Sequence, residues 1–461
     1  MAALFPPMNA TIPWLQLIDR WDGRIPRYTS YPTAVSFHSG VDAPLVESWL
    51  SSLDPAVPVS LYLHVPFCRR MCWYCGCHTV VANSATPVEA YARDLIAEAA
   101  LLASRLPGRM TLARIHWGGG TPSILGPTLW RRVDEAIRTH FDIATDAEIA
   151  VELDPRTLTQ PMVNALAASG VTRASLGVQD FDAKVQQAVN RIQPYGMVAE
   201  AVSRLRGARI EALNLDLMYG LPHQDELSVA RTAREALKLA PDRIALFGYA
   251  HVPWMKRHQR MIEEAELPDA VSRIAQFHAA GSVFSAAGYT PIGLDHFAKP
   301  DDPLARAQAS GHLRRNFQGY TDDVAPVLLG LGASAISALP QGFAQNAAAV
   351  PDWRAAVLHG RLPIVRGVAP TEDDRLRGAL IERLMCDMAL DVAAVCRDNG
   401  ARVQSFAAAL PRLDAMAADG LLVREGWRIA VTQVGRVFLR SIAAVFDGRL
   451  EQSAGRHARA V

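Results

Sequence analysis

The sequence predicts an α/β fold: a (β/α) partial barrel preceded by an N-terminal arm and followed by a smaller, mainly α-helical domain. Three observations predict it. Six β-rich runs between residues 59 and 250 alternate with amphipathic segments. Tandem units of that kind imply a parallel sheet with right-handed crossovers. Residues able to do chemistry recur at the C-terminal ends of many of these runs, as barrels arrange them, whereas an open sheet gathers them at one switch point.

The runs are VSLYLHV (59–65), LARIHW (112–117), EIAVELD (148–154), VTRASLGV (171–178), IEALNLDLM (210–218) and RIALFGYA (243–250). Their apolar and β-branched content predicts strands buried on both faces. The clearest helix lies in TPVEAYARDLIAEAALLASRL, with Thr86 as N-cap, Pro87 at N1 and Glu89 completing a capping box. Its apolar stripe is Val88, Tyr91, Leu95, Ala99 and Leu102. The arm covers 1–58, the barrel and its extension 59–365, and the C-terminal domain 366–461. In the last, Thr371 caps a helix and a hairpin turns at Glu425–Gly426, an order that resembles a winged helix. Its scattered arginines favour a packing role over DNA binding.

Composition narrows the function. Of 461 residues, 47 are basic and 46 acidic, a balance that carries no nucleic-acid footprint. No apolar run reaches the ~18 residues of a membrane span. The opening MAALFPPMNATIPW lacks a basic n-region, so no secretory signal is expected. Six cysteines are too few for a secreted disulfide scaffold, and a reducing cytoplasm is expected.

Four of those cysteines fall in HVPFCRRMCWYCGCHT, residues 64–79. Cys68, Cys72 and Cys75 are spaced C-x3-C-x2-C. Structural zinc draws on two separated ligand pairs, and no second CxxC or HxxxH follows, although His64 and His78 could contribute. A thioredoxin-like site needs only two thiols. Three thiolates on one loop can each hold one iron of a 4Fe-4S cube and leave the fourth iron open for chemistry. Cys386 and Cys396, far from any motif, read as core or half-buried thiols.

The spacing, with Tyr74 just before the third cysteine and the first strand just before the loop, resembles the radical S-adenosylmethionine (SAM) superfamily. The resemblance extends through PRYTSYPTA, YLHVPFC, HWGGGTPS, VELDPR, LGVQDFD, NLDLMYGLP, GYAHVP, LDHFAKPDD, RNFQGYT and GASAIS. Together with CxxxCxxCxC it is similar to oxygen-independent coproporphyrinogen III oxidases, whereas related haem chaperones usually carry an aromatic where Cys77 stands.

That resemblance implies a cluster on Cys68, Cys72 and Cys75, with Cys77 in the active site but off the cluster. It implies SAM contacts from Tyr62, Gly119, Gly120, Thr121, Glu152 and Ile336. For a second SAM it implies Tyr74, Gly120, Thr121, Gln179, Arg191, Asp216 and Ala250. Residue by residue, bland readings stand alongside: a strand-core Tyr62, a surface ion pair of Arg191 with Asp216, a tight turn at 118–120. Gly248 stands where an Asn is expected, and Trp73–Tyr74 where other members carry other aromatic pairs. Arg27 and Tyr28 of the arm, with Arg314, Arg315 and Gln318, are candidates for binding substrate carboxylates; a solvated basic turn is the alternative. The arm's Tyr28 and Tyr31 are expected against a flat substrate, or else the arm merely plugs the barrel.

The implied activity is oxidative decarboxylation of two propionates of coproporphyrinogen III to vinyl groups, giving protoporphyrinogen IX through a 5′-deoxyadenosyl radical. A haem chaperone, or a radical SAM enzyme on another substrate, is the alternative. A monomer supplied with electrons by a small redox protein or reductase is expected, with neither nucleic acid nor membrane as partner.

Overall fold

The computed structural model describes residues 12–453 and Arg459. Residues 1–11, which carry most of the stretch examined for a secretory signal, lie outside the described residues.

Six parallel strands form the centre: β1 (Val59–Val65), β2 (Thr111–Gly119), β3 (Asp142–Leu153), β4 (Arg173–Gln179), β5 (Ala212–Tyr219) and β6 (Arg243–Gly248). The chain then adds β7 (Thr290–Ile292), β8 (His296–Ala298), β9 (Leu328–Leu331), β10 (Ile336–Leu339), β11 (Gly342–Asn346) and β12 (Ile364–Val368). The twelve-stranded sheet runs β12-β11-β10-β9-β1-β2-β3-β4-β5-β6-β8-β7, with β9 parallel to β1 and antiparallel pairs at both flanks. β1 and β6 never pair, so the (β/α) barrel is partial.

Alternation along the strands decides what faces the lumen. Leu61, Leu63, Trp117, Leu176, Leu215 and Leu246 are buried against the helices. The alternate residues, among them Arg114, Glu148, Arg173, Ser175 and Asp216, line the lumen. The strands are therefore apolar on the helix side only, and the expectation of two apolar faces fails because the lumen is polar.

The lumen floor is an ion network at the N-terminal ends of the strands. Arg114 bonds Glu148 at 3.0 Å and Asp322 at 2.8 Å, Arg173 bonds Glu148 at 2.9 Å, and Arg243 bonds Asp302 at 2.7 Å.

The helix after the cysteine loop, α1 (Thr86–Ala103), buries the expected stripe. Thr86 does not cap it. Ala85 already has helical backbone angles and accepts from the Glu89 N–H at 2.9 Å, so Thr86 is the first helical residue and no capping box forms. In α2 (Glu372–Asp387) the Thr371 cap is present, closed reciprocally with Asp374. The hairpin pairs Glu425 with Arg428, which places its turn at Gly426–Trp427, one residue beyond expectation.

A second core joins distant segments. Trp14, Leu17, Trp21, Ile25 and Tyr28 of the arm pack with Leu380, Leu384, Phe438 and Ile442. Both Cys386 and Cys396 are buried. Among the described residues no helix is long and apolar enough to cross a membrane.

Candidate active site

The cysteine loop leaves β1 at Val65 and folds back on itself. Phe67–Cys68 pairs in parallel with Val80–Val81, the Val80 N–H donating to Pro66 O at 2.6 Å. A segment beyond β6 ties down its outer side: Lys256 Nζ donates to Cys77 O at 2.9 Å and Gln259 Nε2 to Tyr74 O at 3.1 Å. His258 Nε2 meets Cys75 O at 2.7 Å. The thiols are thus positioned by side chains from elsewhere in the fold that bond the loop's carbonyls.

Cys68, Cys72 and Cys75 open into one cavity of about 150 Å³. Its facing wall carries Gly119, Gly120, Thr121, Glu152, Gln179 and Asp216 from the ends of β2 to β5, with Tyr74 and Arg191 alongside. Cys68 Sγ lies 3.4 Å from Thr121 Oγ1. Arg156 Nη2 and Arg191 Nη1 each donate to Cys72 Sγ at 3.4 Å. Burial pushes the Cys68 thiol up to about 11, with the Thr121 contact acting against it. Cys77, itself exposed, donates to Cys75, which lowers Cys75 and raises Cys77.

The donor set fits an iron–sulfur cluster. Three soft sulfur ligands leave one loop toward a shared space, and no carboxylate or imidazole is needed to complete them. Among the described residues no three His, Cys, Asp or Glu side chains stand close enough to surround a single ion. A cube asks less, since each thiolate meets a different iron.

Glu152 closes β3. Its Oε1 lies 3.1 Å from His116 Nε2 and its Oε2 accepts the Gly119 N–H at 3.0 Å. Burial works against the charge, but His116 and Gly119 overcome it and hold the carboxyl below its ordinary range. Asp216 accepts from Ser175 Oγ at 3.0 Å and Asn214 Nδ2 at 2.7 Å. Burial, then the Glu152 charge, pushes it up to about 6. The expected alternative pair of Arg191 with Asp216 does not form. Arg191 instead contacts Asp154 at 3.4 Å and donates to Gly177 O at 2.6 Å, because Asp154 and Arg156 bring a buried charge pair to the loop. Gly120 is required for packing before any ligand arrives: a Cβ there would stand 2.6 Å from Phe67 O, directly ahead of Cys68.

A second cavity of about 320 Å³, the barrel lumen, adjoins the first; Cys77, Glu152, Ser175 and Asp216 line both. Tyr62 lines neither cavity; its hydroxyl lies 2.9 Å from His64 Nδ1 and its ring stacks on His116 at 5.8 Å. Gln318 lines the lumen, and Arg314 is exposed on a neighbouring hairpin. Arg27, Arg315 and Ala250 line a third cavity. Ile336, at the start of β10, lines neither of the first two. Tyr28 is buried with its hydroxyl donating to Asp447 at 2.9 Å, and Tyr31 Oη accepts the Gly448 N–H at 3.0 Å, so both arm tyrosines face the C-terminal body. Sequence reasoning missed His116, Asp154 and Arg156, although all three stand in or beside the motifs HWGGGTPS and VELDPR.

Residues 62–236 match the family model described as the radical SAM superfamily, which covers the cysteine loop and most of the barrel. The chain is 48% identical over 438 residues to an oxygen-independent coproporphyrinogen III oxidase of Bradyrhizobium diazoefficiens, spanning 95% of this chain and 97% of that one. It is 44% identical to that of Paracoccus denitrificans over 97% and 99% of the two chains. A solved structure of coproporphyrinogen III oxidase from Escherichia coli, described as a radical SAM enzyme, superposes with a TM-score of 0.88 at 36% identity, over 95% of this chain and 99% of that one. The chain belongs to the family of oxygen-independent coproporphyrinogen III oxidases.

Proposed function

We infer that the protein removes two propionate carboxylates of coproporphyrinogen III oxidatively, leaving vinyl groups and yielding protoporphyrinogen IX. The observation that carries the reading is the shared wall of the two cavities: Cys77, Glu152, Ser175 and Asp216 stand between the three thiols and the lumen. A reactive carbon generated on the thiol side meets a substrate on the lumen side without crossing bulk water. Each propionate loses one hydrogen atom from its β-carbon, then carbon dioxide and one electron, which balances the conversion to a vinyl group.

Cys68, Cys72 and Cys75 hold the 4Fe-4S cluster. Bound beside it, SAM supplies, by one-electron cleavage of its sulfonium, the radical that abstracts hydrogen. The chain's own residues bind and orient. Glu152 faces a ribose diol, Gly119, Gly120 and Thr121 offer backbone and hydroxyl groups to the methionine end, and Tyr62 and Ile336 pack near the adenosine. Tyr74, Gln179, Arg191, Asp216 and Ala250 serve a second SAM. Cys77 remains a free thiol at the lumen mouth, a position that speaks against the haem-chaperone alternative. Arg27, Arg315 and Gln318 meet substrate carboxylates. A monomeric cytoplasmic enzyme reduced by a small redox protein or reductase completes the reading.

The test is anaerobic reconstitution with iron and sulfide, then product analysis with coproporphyrinogen III, SAM and a reductant. About four irons per chain and release of carbon dioxide with divinyl product are expected. Cluster formation and SAM cleavage with an untouched tetrapyrrole would overturn the substrate assignment.

A further inference from the structure

The third cavity, about 60 Å³, lies where the arm, the ends of β5 and β6 and the C-terminal body meet. Five arginines line it, Arg27, Arg273, Arg315, Arg440 and Arg459, against a single carboxylate, Asp295; of these Arg459 pairs with Asp22 at 3.6 Å. Asp295 is already engaged by His296 Nδ1 at 2.7 Å.

The guanidiniums are held mainly by backbone carbonyls. Arg315 donates to Tyr28 O at 3.1 Å and Arg27 O at 3.2 Å over the Tyr320 ring, and Arg27 donates to Gly248 O at 3.3 Å. Arg440 donates to Pro26 O at 3.0 Å. Carbonyls satisfy hydrogen bonds but leave the charge in place. Arg273 lies over the Tyr219 ring at 5.6 Å, and its Nε is buried with no hydrogen-bond partner. Arg315 Nη1 is in the same condition. No ion pair to Arg27, Arg273 or Arg315 forms among the described residues, whereas Arg114, Arg173 and Arg243 of the lumen floor are all paired with carboxylates.

The slot for Arg273 is made by absent side chains. A Cβ on Gly220, whose φ is +80°, would stand 2.3 Å from Arg273 Nη1, and one on Gly248 would stand 3.2 Å from Nη2. Gly248, where the family resemblance suggested Asn, thus makes room for a cation. Burial also lowers the Arg273 guanidinium. Asp22 acts on Arg273, and Asp295 on Arg27 and Arg315, without forming an ion pair to any of them; like charges gathered with so little compensation are costly, and an anion relieves them.

Adjacent residues divide between this cavity and the lumen: Gly248 and Phe247, Asp295 and His296, Arg315 and Asn316. A ligand in the lumen therefore has this pocket beside it. We propose that the junction pocket is a carboxylate site that anchors a propionate of the tetrapyrrole, with Arg273 and Arg315 as its donors. The proposal rests on the substrate reading above. SAM carries a carboxylate too, but with an ammonium and a sulfonium its net charge is positive, and the arginines of this pocket would repel it.

The test uses reconstituted protein and coproporphyrin III, a stable tetracarboxylate, followed by fluorescence titration, with its tetramethyl ester as the uncharged control. Arg273→Met should weaken coproporphyrin binding about tenfold, the worth of one charge-assisted contact. Arg273→Lys should recover part of this. The ester should bind both proteins equally, and iron content and reductive SAM cleavage should not change. Arg315→Met provides the same comparison if Arg273→Met fails to fold. Unchanged coproporphyrin binding in the folded variants overturns the proposal, as does a loss confined to SAM affinity or an equal loss for the ester. Failure of the decarboxylation reading would appear separately, as intact porphyrinogen in wild-type turnover.

Discussion

The lumen floor and the junction pocket hold arginines in opposite ways. On the floor every guanidinium meets a carboxylate, Arg243 with Asp302 at 2.7 Å being the most enclosed pair. At the junction, Arg27 and Arg315 donate to carbonyls, and neither forms an ion pair among the described residues. Satisfying hydrogen bonds and neutralising charge are separate problems, and a fold can solve one while leaving the other to a ligand. The floor is finished without substrate; the junction is not.

The largest effect should come from the thiol where the cysteine cavity meets the lumen. Cys77→Ala should retain about four irons per chain and lose decarboxylation by orders of magnitude. Loss of iron in that variant, measured by iron analysis and the ~400 nm cluster absorbance, would mean that Cys77 belongs to the cluster and that thiol cavity and lumen mouth are one site.

Next is the floor. Arg243→Met leaves Asp302 buried, with Arg173 as its remaining cation at 3.6 Å. Breaking a buried pair from one side costs about 3–5 kcal/mol, read as a fall in urea midpoint. The same change at the junction, Arg315→Met, removes two bonds to carbonyls and one unneutralised charge, and should cost only about 1 kcal/mol. Equal losses at the two sites would erase the contrast between paired and unpaired arginines.

The smallest effect is acid sensitivity in the C-terminal body, where Arg449 grips Asp374 with two bonds of 2.7 Å. Burial opposes the Asp374 charge, but the Arg449 and Thr371 bonds hold it below the ordinary carboxylate range. A carboxyl depressed in the folded state contributes stability that is full above its unfolded value, about 4, and lost as pH falls through the folded value. Wild type should therefore exceed Asp374→Asn in melting temperature at pH 7, and the gap should close toward pH 3. A gap that does not change with pH would show that the cap geometry, not the charge, provides the stability.

The barrel was legible because its evidence is local. A run such as VSLYLHV is a strand wherever it occurs, and three cysteines within eight positions define their own spacing. Arg191 was legible as a candidate, but its partner was not, since Asp154 lies 37 positions away and only the crossover of β3 and β4 brings it near. The capping box at Thr86 failed because its residues fit the pattern while Ala85 had already entered the helix. The junction was least legible. Arg27, Tyr219, Arg273, Arg315 and Arg440 come from five separate segments, and the arm's Tyr28 finds Asp447 419 positions on. No periodicity reports contacts of that range.

The shared core of arm and C-terminal body has a consequence during synthesis. Trp21 leaves the ribosome early, yet Asp419, which accepts its indole N–H at 2.7 Å, follows 398 residues later. At about 5–20 residues per second, that interval is on the order of 20–80 s. Throughout it, the barrel can close around its own helices while Trp14 and Trp21 wait with their apolar faces bare. The arm is then made long before its partners and is among the last parts to be folded, which makes it the segment of the nascent chain most in need of a chaperone.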